Sequence, residues 1–326
     1  MKDRPFTSIL LIFALLIGIA TTQAAAQDPA AVLEEEVVIV APYPPGGSVD
    51  VGSRTLSAAL ERLGVSARVV NRPGAAGVEG TYWTAQRPAT GYTVVMPGVP
   101  ALVFQPLVED VGYTLDDFDP VALWITASFG WAVQDDAPWQ TLDELMEYIR
   151  DNPGAVAVGS TGARNTNEWL QHRLASAVDS EITYVSYGGG GEVTRDLIGG
   201  HIDVAFGSVA GQIPYLEDGQ LRVLAHADPF NERIEAAPDI QSARELGYDI
   251  VSYNFFGLFA PAGVPDDIKD ALAAAVQQAA EDPEARATMQ DRGLSVTFLG
   301  PDDMESLLLE VRDEFAAPFL EWEAAQ

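Results

Sequence analysis

Val37-Val38-Ile39-Val40-Ala41-Pro42-Tyr43-Pro44-Pro45-Gly46-Gly47-Ser48-Val49-Asp50 decides the fold. A β-branched run stops at the prolines and a Gly-Gly pair follows. From Ser48 onward Leu56, Ala59, Leu60 and Leu63 fall on one helix face. The stretch therefore reads as strand, glycine-rich turn, helix. Short apolar runs bounded by Gly, Pro or Asn recur at 67–70, 92–96, 155–158, 182–185, 202–206 and 221–225, the pattern of buried parallel strands. Helical spacing lies between them, as where Trp169, Leu170, Leu174 and Val178 share a face from Asn165 onward. This alternation predicts an α/β fold built of βαβ units. Two C-terminal segments are helical by pattern, one with the stripe Ile268, Leu272, Val276 and Ala279, the other with Met304, Leu307, Leu308, Val311, Phe315 and Phe319.

At 326 residues the chain suggests two domains. It contains no low-complexity linker, so the domains are expected to be joined by strand crossings that leave a hinge and a cleft. The expected crossings are near Ala122-Leu123-Trp124 and Ser252-Tyr253-Asn254. They divide the chain into 27–123 with 254–326 as a discontinuous first domain and 124–253 as the second. Ahead of these, Lys2 and Arg4 precede the apolar run from Ile9 to Ala20, and Ala24-Ala25-Ala26 offers a small-x-small cleavage site. Twelve apolar residues are too few to span a bilayer but suit a secretory leader, so 1–26 is read as a signal peptide cleaved near Ala26 and the product as exported.

Acidic residues number 48 against 18 basic, a net charge of −30, and the only lysines are Lys2 and Lys269. That field repels phosphate backbones and anionic lipid, which argues against nucleic-acid and membrane-surface partners. No dense calcium-loop pattern accompanies the acidity, so it reads as a strongly hydrated surface suited to a saline medium. The chain has no cysteine, which excludes thiolate chemistry, disulfides and a lipoprotein anchor.

Glycine-rich turns at strand-to-helix junctions aim backbone N–H groups outward where the helix dipole favours negative charge. In the first, at 41–50, Tyr43, Gly46, Gly47 and Ser48 are candidate binding residues, with Asp50 as the organiser of the loop. The second is Gly159-Ser160-Thr161-Gly162-Ala163-Arg164-Asn165-Thr166-Asn167-Glu168. Asn165 and Glu168 stand there at capping-box spacing, and Ser160, Thr161, Gly162, Ala163, Arg164, Asn165 and Thr166 are candidates. Arg164 reads equally as a bidentate carboxylate partner and as a surface arginine paired with one of the many acids. The third is Tyr187-Gly188-Gly189-Gly190-Gly191-Glu192, with Tyr187, Gly188 and Gly189 as candidates. A fourth glycine-bearing segment, 71–80, matches neither a Walker loop nor a dinucleotide fingerprint, so no nucleotide cofactor is expected. His172, His201 and His226 fit no zinc spacing, and no nucleophile elbow is present. The sequence is better suited to holding a small anion than to transforming one.

Seven motifs in order carry a family resemblance: 43–50, 70–77 and Gly91-Tyr92-Thr93, then 187–192, 197–203, 221–225 and Phe259-Ala260-Pro261-Ala262-Gly263-Val264-Pro265. The chain resembles the extracytoplasmic solute receptors of tripartite tricarboxylate transporters, the Bug or TctC-like family. The resemblance implies a type II periplasmic-binding-protein (Venus-flytrap) architecture of two α/β domains. It implies a non-enzymatic receptor that closes on a small carboxylate and delivers it to membrane permease subunits, with the first loop, the segment 160–166 and the loop after Tyr187 lining the cleft. Gly188, where other members often place Lys, resembles the citrate-type branch and implies a di- or tricarboxylate ligand. Arg164, where many members have a small residue, and Asn254-Phe255-Phe256 depart from the pattern. A sensor that presents its closed form to a membrane kinase would have the same sequence features.

Overall fold

The structure, a computed structural model, describes residues 28–325 apart from Arg164, 230–233, 235 and 236. The expected leader and the Arg164 candidate therefore lie outside the described residues.

The strand–turn–helix stretch forms β1 (Val37–Ala41) and α2 (Ser48–Arg62), after a short α1 (Pro29–Val32). There follow β2 (Ala67–Asn71), α3 (Val78–Ala85), β3 (Thr93–Val95), α4 (Gln105–Val108) and β4 (Phe118–Thr126). The next segment holds β5 (Phe129–Gln134), α5 (Leu142–Asp151), β6 (Ala157–Thr161), α6 (Thr166–Ser176), β7 (Thr183–Tyr187), α7 (Gly190–Ile198), β8 (Val204–Ser208), α8 (Val209–Glu217) and β9 (Leu221–His226). The chain ends with β10 (Phe255–Pro261), α9 (Asp266–Glu281), α10 (Pro283–Gln290), β11 (Ser295–Leu299) and α11 (Pro301–Ala324).

These strands make two mixed sheets. One has the order β11-β4-β10-β3-β1-β2 and the other β7-β6-β8-β5-β9. Strands joined through helices, such as β1 with β2 and β6 with β7, pair in parallel as expected. The run 221–225 departs from the parallel expectation: β9 pairs antiparallel with β5, and β10 and β11 each pair antiparallel with β4 between them. An apolar strand buried on both faces reads the same in either direction, which is why pattern alone missed the difference.

The chain passes from the first sheet to the second between Thr126 and Phe129 and returns between His226 and Phe255, while Leu123 and Trp124 lie inside β4. We propose that the two lobes are divided at these changes of sheet. The C-terminal helix bridges them. Met304, Leu308, Val311, Phe315 and Phe319 of α11 are buried. Phe315 and Phe319 meet Trp169 of α6 edge-on at 5.6 and 5.9 Å, and Phe319 also meets Phe104 at 5.4 Å. One continuous apolar core thus runs from the first lobe through α11 into the second.

Candidate functional site

The loop after β1 is held from below by Asp50. This buried carboxylate accepts the Gly46 N–H at 2.9 Å, Arg54 Nε at 3.0 Å and Asn71 Nδ2 at 2.8 Å, and Asn71 also donates to the Tyr43 carbonyl at 3.2 Å. Burial alone would raise its pKa, but those hydrogen bonds and the Arg54 charge outweigh it and hold the group below the ordinary carboxylate value. Gly46 has φ +91, a left-handed conformation that bends the chain back over the carboxylate. Tyr43 accepts the Gly98 N–H on its hydroxyl at 3.2 Å, and burial raises its pKa, so it stays a neutral phenol. Both residues shape the loop. Gly47 caps α2 with no side-chain hydrogen bond, leaving the first-turn N–H groups without a capping acceptor next to an exposed Ser48.

The junction after β6 is built differently. Asn165 accepts the Asn167 and Glu168 N–H groups at 3.1 and 3.2 Å and donates to the Thr161 carbonyl at 3.0 Å, so α6 is capped by its own chain. Ser160 is fully buried and its Oγ makes no hydrogen bond of accepted geometry, although it lies within electrostatic reach of Tyr184. The Tyr184 hydroxyl donates to the Gly162 carbonyl at 2.7 Å. Ala163 is exposed, and Thr166 faces a narrow crevice with Pro100, Trp169, Tyr253 and Asn254 beside the strand returning to the first sheet.

In the third junction Tyr187 donates to Asp196 at 3.1 Å; burial and that carboxylate raise its pKa. The Gly188 N–H donates to the Glu192 carboxylate at 3.1 Å, while Gly189 caps α7 without any side-chain hydrogen bond.

A cavity of about 340 Å³ opens between the lobes. Ser48 lines it from the first lobe. The second lobe supplies Phe129, Thr161, then Gly190, Gly191, Val193 and Thr194 from α7, Phe206, Gly207 and Ser208 from β8, and Gly211, Gln212 and Tyr215 from α8. Three helix N-termini, those of α2, α7 and α8, therefore converge on one space, and none carries a side-chain cap. None of the described residues lining it is charged. Helix starts without side-chain caps favour an anion, although at α8 the Val209 N–H is already taken by the Ser128 carbonyl at 2.9 Å, and an uncharged wall gives selectivity to donor geometry. Among the sequence-predicted residues Ser48 and Thr161 line this cavity directly, Gly188 and Gly189 lead into α7 beside it, and Thr166 faces the neighbouring crevice.

Sequence reasoning missed the junction of β8 with α8. Gly207-Ser208 follows a strand and precedes a helix, the same signature as Gly47-Ser48, and that signal was available at the end of the run 202–206. The aromatic part of the wall, Phe129, Phe206 and Tyr215, carried no local signal because it assembles from three separate elements.

Comparison with known proteins agrees with this architecture. Residues 53–314 match the family model described as the tripartite tricarboxylate transporter family receptor. Protein BugT of Bordetella pertussis is 27% identical over 315 residues, covering 95% of each chain. Two solved structures share the fold. MatC from Rhodopseudomonas palustris with bound malate is 24% identical with a TM-score of 0.71, covering 87% of this chain and 99% of that one. An R. palustris protein with adipate is 23% identical with a TM-score of 0.73, covering 89% and 97%.

Proposed function

Since the chain belongs to the tripartite tricarboxylate transporter receptor family, whose members are periplasmic solute-binding proteins, we propose that it captures a small organic carboxylate between its lobes and hands it to a membrane permease of that transporter class. The observation that carries this reading is the convergence of three uncapped helix N-termini on one uncharged inter-lobe cavity. The malate and adipate of the two R. palustris structures support a carboxylate as the ligand class.

A net charge of −30 does not oppose this. At physiological salt charges are screened over about 8 Å, so distant surface acids add little to the field in the cleft, and local donors decide. A hydrogen bond to a charged group contributes roughly 1.5–3 kcal/mol, so a few from helix starts on both lobes outweigh ordering costs and reach micromolar affinity, about −8 kcal/mol. Donors on opposing lobes also explain closure, because both ends of the ligand are satisfied only when the lobes approach.

The second half of the cavity wall bears on the citrate-like expectation. With aromatic rings facing the helix starts and no cation among the described lining residues, the site accommodates one carboxylate and an apolar body better than three carboxylates. A thermal-shift screen of mono-, di- and tricarboxylates tests the reading. A rise of several degrees with at least one carboxylate is expected, since a ligand bound only by the folded form stabilises it. No shift across the panel at millimolar ligand overturns it.

A further inference from the structure

Most basic side chains of this acidic protein are matched to a carboxylate; Arg54, Arg62, Arg68 and Arg222 each meet one at 3.0 Å or less. Arg72 and Arg87 are different. Among the described residues neither has a carboxylate within ion-pair distance, and both guanidinium groups are held against the ring of Trp83 on α3, their Cζ atoms 3.8 and 4.3 Å from its centroid. Arg87 is fixed there by donating Nε–H to the Trp83 carbonyl at 3.2 Å, while Arg72 is exposed. The neighbouring ring of Tyr82 is 44% exposed and leans on the turn at Gly112, where a Cβ would stand 2.7 Å from its Cε2. Nearby carboxylates are engaged with the chain: Asp110 accepts the Gly112 N–H at 3.0 Å, and Glu79 folds over Gly74, where a Cβ would collide with it. A guanidinium stacked on a ring keeps N–H donors free for a carboxylate, and Trp, Tyr and Arg are the side chains that most often carry interface energy. The patch also adjoins the brace of the first ligand loop. Arg72 follows Asn71, which holds Asp50 and the Tyr43 carbonyl, and Gly77 before α3 lies against the Tyr43 ring.

We propose that Arg72, Tyr82, Trp83 and Arg87 form the face by which the receptor docks on its membrane permease, and that a permease segment bearing Asp or Glu side chains beside apolar ones seats there. Charge complementarity selects this occupant. Two guanidinium groups without carboxylate partners favour an anionic segment and fix its register, whereas a second copy of the chain would bring −30 against −30. The inference rests on the reading of the protein as a receptor that serves a permease, and it adds the surface and the partner chemistry.

The probe is the membrane part of the host's own tripartite tricarboxylate transporter in phosphatidylcholine nanodiscs, with empty nanodiscs alongside, and binding is read by biolayer interferometry. The wild type should bind the loaded discs alone, more weakly as salt rises. The double variant Arg72→Gln/Arg87→Gln should weaken binding about tenfold or more, and Tyr82→Ala about threefold or more. Arg286, exposed on α10 and likewise without a carboxylate in reach, is the control: Arg286→Gln should stay within about twofold. Wild-type binding that neither patch variant weakens overturns the docking face and leaves the permease reading standing, and an equal loss in Arg286→Gln overturns it as a general charge effect. Equal binding to empty discs, or a wild-type dimer in sedimentation velocity that the double variant dissolves, overturns the permease as occupant. No wild-type binding to the loaded discs overturns both readings. Melting curves and the carboxylate thermal shift, unchanged in the variants, show that each titration reports on a native receptor, and Tyr82→Ala carries the test if the double variant does not fold.

Discussion

Gly293 sits where the two lobes touch beside the cavity, and replacing it by alanine moves α8 in a calculable way. A Cβ at Gly293 would stand 1.6 Å from the Ala210 Cβ and 2.7 Å from its Cα. Carbon atoms rest at about 3.5–4.0 Å, so the turn at Gly293 and the first turn of α8 must separate by about 2 Å. Ala210 lies between Ser208 and Gln212, so the displacement draws the α8 N-terminus away from the helix starts it faces. Hydrogen bonds weaken steeply beyond about 3.2 Å, so losing even one charge-assisted bond lowers affinity about tenfold or more. Gly293 also has φ +62, where alanine costs roughly 1–2 kcal/mol of stability on backbone grounds alone. Gly219 separates the two effects: it has φ +65 with no atom within 4 Å of its Cβ position. Gly219→Ala should therefore lower stability by a similar amount and leave ligand affinity untouched. Calorimetric titration with the tightest acid of the carboxylate panel, together with urea unfolding, reads both quantities. Unchanged affinity in Gly293→Ala refutes the placement of α8 in the binding surface. A loss of the same size in Gly219→Ala refutes the steric explanation.

Two further outcomes follow from the same contacts. Asp50 has a folded-state pKa below its unfolded value, so its contribution is fully present above the ordinary carboxylate range and is lost as pH falls through the lower, folded-state value. Asp50→Asn should remove part of the acid limb of the stability profile and loosen the first loop at neutral pH by about 2–4 kcal/mol; a wild-type acid limb in the variant refutes the role given to the three hydrogen bonds. Trp169→Ala removes the edge-on contacts to Phe315 and Phe319 and should cost about 3–5 kcal/mol in urea unfolding, whereas Tyr82, an exposed ring, should cost under 1 kcal/mol on the same change.

The parts of this molecule that could be read from sequence are those decided within one strand and the turn beyond it. β1 with α2, β6 with α6 and β7 with α7 each declare themselves through a short apolar run, a glycine-bearing turn and a helical stripe. β4 did not, because Pro120 interrupts it and nearly all of its later residues are buried on both faces, so it offers neither clean alternation nor a turn signal. β10 and β11 gain their meaning only from pairing with β4 across more than a hundred residues. The binding surface divides along a finer line. A glycine-rich junction holds an anion only when its helix start is left unanswered, and the residue in the cap position decides that. At 159–168 the sequence announces its own answer, since Asn165 is a strong cap and accepts two of the N–H groups that a ligand would need. At Gly47, Gly189 and Ser208 no side chain does so, and those are the starts that meet in the cavity. The capping spacing that locates α6 so clearly is thus an argument against its N-terminus as the chief carboxylate grip, while the quieter Gly-Ser pair before α8, easily passed over as an ordinary strand end, supplies one of the three helix starts without a side-chain cap.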